Sequence, residues 1–336
     1  METLYNDTPI DLRRQVQALL FLRAFDDLCA KAAGRFRLVP LKGIDLLRFL
    51  YSDTLDRELN DIDVLVNPPD RALEFIGLLQ DEGYRPEFPF ALDKAALEGK
   101  KKVSMIAPPG RLPNVDVHLA LITKKFFSAT INNFNRDAIS RIKDVNDVVS
   151  NLDDVDRWLY LAAHLSFHFL EGEKWYRDLA LLIARLDGEE LSILRERTEL
   201  YNFERVVGAV WTRMQHKYPD IGRQIDTSQL LVKSGKRFVR YVGFMAARPE
   251  RFGHGLRLGR YYWEFLLVSK RKDRCRAFLR MMIPSFGNMQ NIYRCRASFA
   301  ILLYVPHILI NILGIFLFSV QYLFITTLHS RQPNAT

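Results

Sequence analysis

Hydrophobic and polar positions switch between two periods along the first part of this chain and keep the helical period in the second. Residues 9–33 read as a helix: Thr8 is placed to cap it, Pro9 suits its first turn and Gly34 can end it. Residues 36–41 form a short β-like run, and residues 43–51 return to helical spacing through Ile44, Leu47 and Leu50. The stretch Asp61-Ile62-Asp63-Val64-Leu65-Val66 is short and rich in branched residues. Asn67-Pro68-Pro69 stops it, which predicts a strand. A helix is expected over 70–82, ending before Gly83. Strands are expected over 103–107, closed by Pro108-Pro109-Gly110, and over 115–121. Beyond Asp153 no strand-like alternation appears; residues 158–186 and 190–216 have helical spacing.

The predicted class is therefore α+β: a mixed-sheet core followed by helices and a hydrophobic C-terminal helix. The boundaries this suggests are 1–148 for the α/β part, 149–290 for an all-helical domain and 291–336 for the tail. A chain of 336 residues has room for two domains. With 49% apolar and 26% charged residues it is globular in composition, not disordered.

Charge adds a feature that periodicity does not show. The net +9 is concentrated in residues 231–296, where 16 Lys or Arg face only Glu250, Glu264 and Asp273. Such a stripe suits an anionic partner, whether a membrane surface, a nucleic acid or phosphates; it is also what a solvated basic helical face looks like. Residues 297–328 contain no Asp, Glu, Lys or Arg, and 308–327 are long enough to cross a bilayer. Pro306, Asn311, Gly314, Ser319 and Gln321 weaken that reading, and a buried or amphipathic helix is the alternative. Arg294 and Arg296 with the basic stretch 270–280 would put the N-terminal flank on the cytoplasmic side. The polar, acidic N-terminus shows no secretory signal. Cys29, Cys275 and Cys295 are odd in number and scattered, so neither a zinc site nor a disulfide framework is expected. The expected location is the cytoplasm, attached through the tail to the inner face of the membrane.

The candidate chemistry sits on the strands. Side chains alternate along a strand, so Asp61 and Asp63 share a face about 7 Å apart while Ile62 and Val64 take the other. Carboxylates so placed repel unless a cation lies between them, and oxygen donors suit Mg²⁺ or Mn²⁺. Asp116 and His118 share a face in the second strand. If the two strands are neighbours, Asp116 joins the pair, and three carboxylates hold two metal ions. One ion then activates an attacking oxygen while the other stabilises a leaving pyrophosphate. Val39-Pro40-Leu41-Lys42-Gly43 turns a strand into a helix, whose N-terminal N–H groups and Lys42 suit phosphate.

The residues Leu41-Lys42-Gly43, Tyr51, Arg57, Asp61 to Val66, Gly83-Tyr84, Val115-Asp116-Val117-His118, His164, His168, Trp175, Asp178 and Leu179 form a combined pattern over roughly residues 36 to 180. In this pattern the chain resembles the uncharacterised nucleotidyltransferase family of the polymerase-beta-like superfamily, found in bacteria near polysaccharide and peptide-natural-product genes. The resemblance implies a minimal nucleotidyltransferase core followed by helices, with Asp61, Asp63 and Asp116 as catalytic metal ligands. The wider superfamily usually carries Gly-Gly or Gly-Ser before the strand, with a serine hydroxyl on the terminal phosphate. Here Lys42-Gly43-Ile44 stands in that place.

On this reading Lys42 and Gly43 hold the β- and γ-phosphates, Arg57 joins the nucleotide site and His118 lies beside it. The plainer readings are a surface lysine, an arginine paired with Glu58 or Asp53, and a satisfied strand histidine. His164 and His168 stand four apart and suit packing against the catalytic part better than metal binding, with Asp178 placed to orient one of them. Trp175 and Tyr176 read as core or interface aromatics. The leading function is a metal-dependent transfer of a nucleoside monophosphate from an NTP to an acceptor hydroxyl or phosphate in polysaccharide or natural-product synthesis. A non-catalytic module of the same fold docked to a membrane assembly is the alternative. A nucleic-acid enzyme is the third, although no aromatic-basic interleaving of a strand-binding groove is present.

Overall fold

The computed structural model describes residues 12–51, 57–87, 102–110, 113–122, 129–168, 170 and 172–220, with isolated positions between 275 and 316. Helix α1 (Leu12–Ala32) buries Ala18, Phe21, Phe25, Leu28 and Ala32, spaced three and four apart down one face. Gly34 ends it at φ +70°, a conformation a glycine adopts without a Cβ penalty. The expected cap at Thr8 and Pro9 lies outside the described residues.

Strand β1 (Arg37–Leu41) runs directly into α2 (Lys42–Phe49) with no linking residue. The reversal is made at Lys42, which holds φ +50° although it carries a side chain. Such a conformation costs energy and persists only where the surroundings impose it. β2 (Ile62–Asn67) is followed by a 3-10 turn (Pro69–Arg71) and α3 (Ala72–Asp81). β3 (Arg85–Pro86), β4 (Lys102–Ile106) and β5 (Val115–His118) complete a five-stranded sheet of order β1-β2-β5-β4-β3. β2 and β5 are parallel; the other pairs are antiparallel, so the sheet is mixed as expected. Pro40, which has no N–H to give a ladder, sits at the sheet's end in β1.

Helix α4 (Ala129–Ser140) and a small ladder of β6 (Lys143–Asp144) with β7 (Ser150–Asn151) lead into the helices. These are α5 (Asp154–Phe167), α6 (Glu173–Ile183), α7 (Gly188–Leu200) and α8 (Glu204–Lys217). The two long helical runs expected over 158–186 and 190–216 are each broken. The first stops at His168, passes Leu170 at φ +60° and resumes after Gly172 at φ +108°. The second stops at Tyr201 and passes Asn202 at φ +54°. Apolar spacing continues across the second break, whereas the first is marked in the sequence by Gly172 within the polar run 171–174. Asp153 caps α5 by accepting from the Asp156 N–H, and Asp187 with Glu190 forms a capping box on α7.

One hydrophobic core runs from α1 and the sheet through to Trp158, Tyr176, Phe203 and Trp211 of the helices. Two buried ion pairs cross between these parts. Arg157 of α5 donates to Asp45 of α2 at 2.7 Å, and Arg57 donates to Asp178 of α6 at 2.7 Å. No helix among the described residues is long and apolar enough to cross a membrane. Most of the uncharged stretch 297–328, and nearly all of the basic stripe 231–296, lies outside the described residues.

Candidate active site

The parallel register of β2 and β5 sets Asp63 directly beside Asp116. Residues paired across a ladder project to the same side of the sheet, so the two carboxylates stand together. Both are buried, each 3% exposed. His118 follows two residues after Asp116 on the same face, fully buried, and its Nε2 lies 2.7 Å from Asp63 Oδ1. One ligand atom from each of Asp63, Asp116 and His118 falls within 4.8 Å of the others.

Asp61 precedes β2 instead of opening it, and is half-buried. Burial, then the charges of Asp63 and Asp116, push its pKa up to about 7. Asp63 responds in the opposite direction. Burial opposes its ionisation, but the charge of Lys42 and hydrogen bonds from His118 and Lys42 outweigh burial and hold it well below the usual carboxylate range.

Cations surround the carboxylates. Lys42 Nζ donates to Asp63 Oδ1 at 2.5 Å, and Lys102 Nζ pairs with Asp116. Burial lowers the Lys102 pKa, but its bond to Asp116 and the charges of Asp116, Asp63 and Asp61 outweigh it and leave the ammonium more firmly protonated than usual. Lys102 was not singled out from the sequence. It opens β4, and only the antiparallel register that sets β4 beside β5 brings it to the cluster.

Gly43 is needed for close packing. A Cβ there would lie 2.6 Å from Leu59 Cδ2 and 2.9 Å from Arg57 Nη1. Asp53 lies outside the described residues, and Arg57 makes no ion pair with Glu58 among the described contacts. Its Nε and Nη2 bind the carboxylate of Asp178, while Nη1 makes only a long 3.4 Å contact with the Glu58 carbonyl. Tyr51 donates to the same carboxylate at 2.7 Å. Both oxygens of Asp178, expected to orient a histidine, are therefore engaged by Arg57 and Tyr51.

A pocket of about 200 Å³ opens at the cluster. Its lining includes Lys42, Gly43, Arg57, Asp61, Asp63 and Lys102 from the first part of the chain and His164, His168, Lys174 and Trp175 from the helices. All the predicted site residues except Asp116 and His118 are in its lining, and those two stand beside Asp63. Chemically the arrangement joins a cation-hungry carboxylate cluster to a set of lysines suited to phosphate.

A family model described as an uncharacterised nucleotidyltransferase matches residues 13–218, which span the sheet, the site and the helices. No curated protein matches the chain.

Proposed function

Since the chain belongs to this uncharacterised nucleotidyltransferase family, we propose that it moves a nucleoside monophosphate from an NTP to a hydroxyl or phosphate of an acceptor, releasing pyrophosphate. The observation that carries the reading is the side-by-side placement of Asp63 and Asp116 on parallel strands, with Asp61 beside them, at the mouth of a lysine-lined pocket.

The donor set fits a hard divalent cation. It is made of carboxylate oxygens, and burial, then the charges of Asp63 and Asp116, push Asp61 toward neutrality despite the opposing charge of Lys42. Asp61, Asp63 and Asp116 would hold Mg²⁺ or Mn²⁺. Bound there, the metal supplies Lewis-acid stabilisation of the phosphoryl oxygens and lowers the pKa of an acceptor hydroxyl. His118 acts through its 2.7 Å contact with Asp63, fixing that carboxylate's orientation.

In the transfer, a bond forms between the acceptor oxygen and the α-phosphorus as the bond to the pyrophosphate oxygen breaks. Asp116 takes the proton of the acceptor hydroxyl. Lys42 and Lys102, which neutralise the carboxylates, have flexible stems that let their ammonium groups follow the triphosphate. The N–H groups at the start of α2 add donors to the β- and γ-phosphates, and Arg57 lines the same pocket. The acceptor belongs to polysaccharide or natural-product synthesis in this reading. The basic stripe and uncharged tail attach the chain to the cytoplasmic face of a membrane.

Thermal melting of the full chain with Mg²⁺ and each NTP tests the reading. A triphosphate should raise the melting temperature only when Mg²⁺ is present, and Asp63→Asn and Asp116→Asn should each abolish that rise. Equal responses in the variants, or none from any NTP in the parent, would defeat it.

A further inference from the structure

The nucleotide reading leaves part of the pocket lining without a role. The lining residues that come from the helices include three rings: His164 near the end of α5, His168 at its C-cap and Trp175 in the first turn of α6. The centroids of His164 and His168 are 4.6 Å apart, those of His168 and Trp175 4.6 Å, and those of His164 and Trp175 5.0 Å. These three are the aromatic residues among the described lining, and all come from the helical part.

The sequence suggested that Trp175 is a core or interface aromatic. It does pack against the edge of the core, but it also reaches the pocket, unlike the other core tryptophans described. Trp158 and Trp211 are each 1% exposed or less, whereas Trp175 is half-buried with its ring at the pocket. The backbone is also shaped to put it there. α5 breaks after Phe167, and Gly172 takes φ +108°. A Cβ on Gly172 would lie 2.6 Å from Trp175 Cε3. The glycine is what lets the indole lie flat against the α6 entry.

We propose that the Trp175 ring, backed by His168 and His164, is the surface on which the nucleobase of the NTP stacks. This rests on the nucleotidyl-transfer reading and names the base subsite of the same pocket. In a nucleotide only a ribose separates the base from the α-phosphate. A base surface must therefore border the groups that handle that phosphate, and these rings line the same pocket as those groups. Every base has a π-face, so an indole gives affinity with little choice among bases. The flanking Lys174, also in the lining, adds a cation beside the ribose-phosphate. The same geometry gives the helical part a role in a site whose proposed metal ligands lie on β2, on β5 and just before β2.

The test compares two probes on the full chain in the presence of Mg²⁺: an NTP analogue with a non-hydrolysable α,β-bridge, and inorganic tripolyphosphate, which has no base. In Trp175→Leu, affinity for the analogue should fall about tenfold, while affinity for tripolyphosphate stays within about threefold of the parent. Trp175→Phe should recover most of the loss. Gly172→Ala, which keeps the indole in the chain but displaces it, should behave like Trp175→Leu. Parent fluorescence should be quenched by the analogue and not by tripolyphosphate. If Trp175→Leu binds the analogue as tightly as the parent, or loses both probes equally while its melting temperature is unchanged, the stacking proposal is wrong and the transfer reading stands. If the parent binds neither probe, both are wrong.

Discussion

Asp61 shows how much of this site is repulsion held in check. Its carboxyl is raised to about 7 by burial and by Asp63 and Asp116. The folded state therefore holds a proton that the unfolded chain releases near its ordinary value of 3.8. A group with a raised folded pKa contributes stability that is complete below the unfolded value and lost as pH rises through the folded one. In chelator, the parent should lose stability between about pH 4 and 7 on this account, and Asp61→Asn should not. At pH 8 without metal, Asp61→Asn should melt about 2–8 °C higher than the parent, with little difference at pH 4. A parent that melts equally at both pH values relative to the variant removes the repulsion argument. Lys42 presents the complementary case: its ammonium sits 2.5 Å from Asp63 on a backbone held at positive φ. Lys42→Met keeps the stem and deletes the charge. It should lower kcat/KM for the nucleotide by roughly 10²–10³, the scale of losing one preorganised donor. A change within about threefold would move the phosphate contacts to Lys102 or Arg57.

Elements matter because the site is assembled at their junctions. The segment 57–61 leads into β2, and its position is pinned by Arg57 to Asp178 of α6, with Tyr51 on the same carboxylate. Arg57 and Asp178 are almost wholly buried. Removing one partner of such a pair leaves an uncompensated buried charge, so Asp178→Ala should cost about 3–5 kcal/mol in urea unfolding. Arg57→Leu/Asp178→Leu, which removes both charges, should be much milder. If the double variant is as unstable as the sum of the singles, the pair is not coupled. Gly43→Ala belongs to the same junction. Its Cβ would press on Leu59 and on an Arg57 already clamped by Asp178. It should therefore destabilise by about 1–3 kcal/mol, readable as a lower melting temperature, whereas Gly77→Ala, where a Cβ meets nothing within 4 Å in the middle of α3, should not.

For the whole molecule, charge and apolarity are segregated along the chain: net acidic outside 231–296, basic within it, then uncharged to 328. A chain so divided is expected to bind anionic vesicles through its late segments. Full-length protein should co-sediment with phosphatidylserine-containing vesicles at about 50 mM salt and be released in part near 500 mM, as screening shortens the reach of the basic stripe. Removing residues 297–336 should abolish the salt-resistant fraction. Full-length protein that stays in the supernatant at low salt would count against attachment.

Much was legible in the sequence because it depends on local periods. The alternation in 61–66 and 115–118 gave two strands with acids on one face, and the polar stop at Asn67-Pro68-Pro69 gave the end of the first. The family assignment, carried by short motifs in fixed order, agrees with the match over 13–218. What the tertiary structure decided was everything that depends on which segments become neighbours. A parallel pairing of β2 with β5 puts Asp63 beside Asp116, and an antiparallel pairing of β4 with β5 brings in Lys102, over separations that no local pattern encodes. Arg57 turned out to be bound to a carboxylate 121 residues away. The break after α5 has a local signal, Gly172 within the polar run 171–174, but nothing local shows that Trp175 just beyond it lines the pocket. Periodicity fixes which face of an element is buried; long-range pairing, set by the cost and reward of packing the whole core at once, fixes what that face meets.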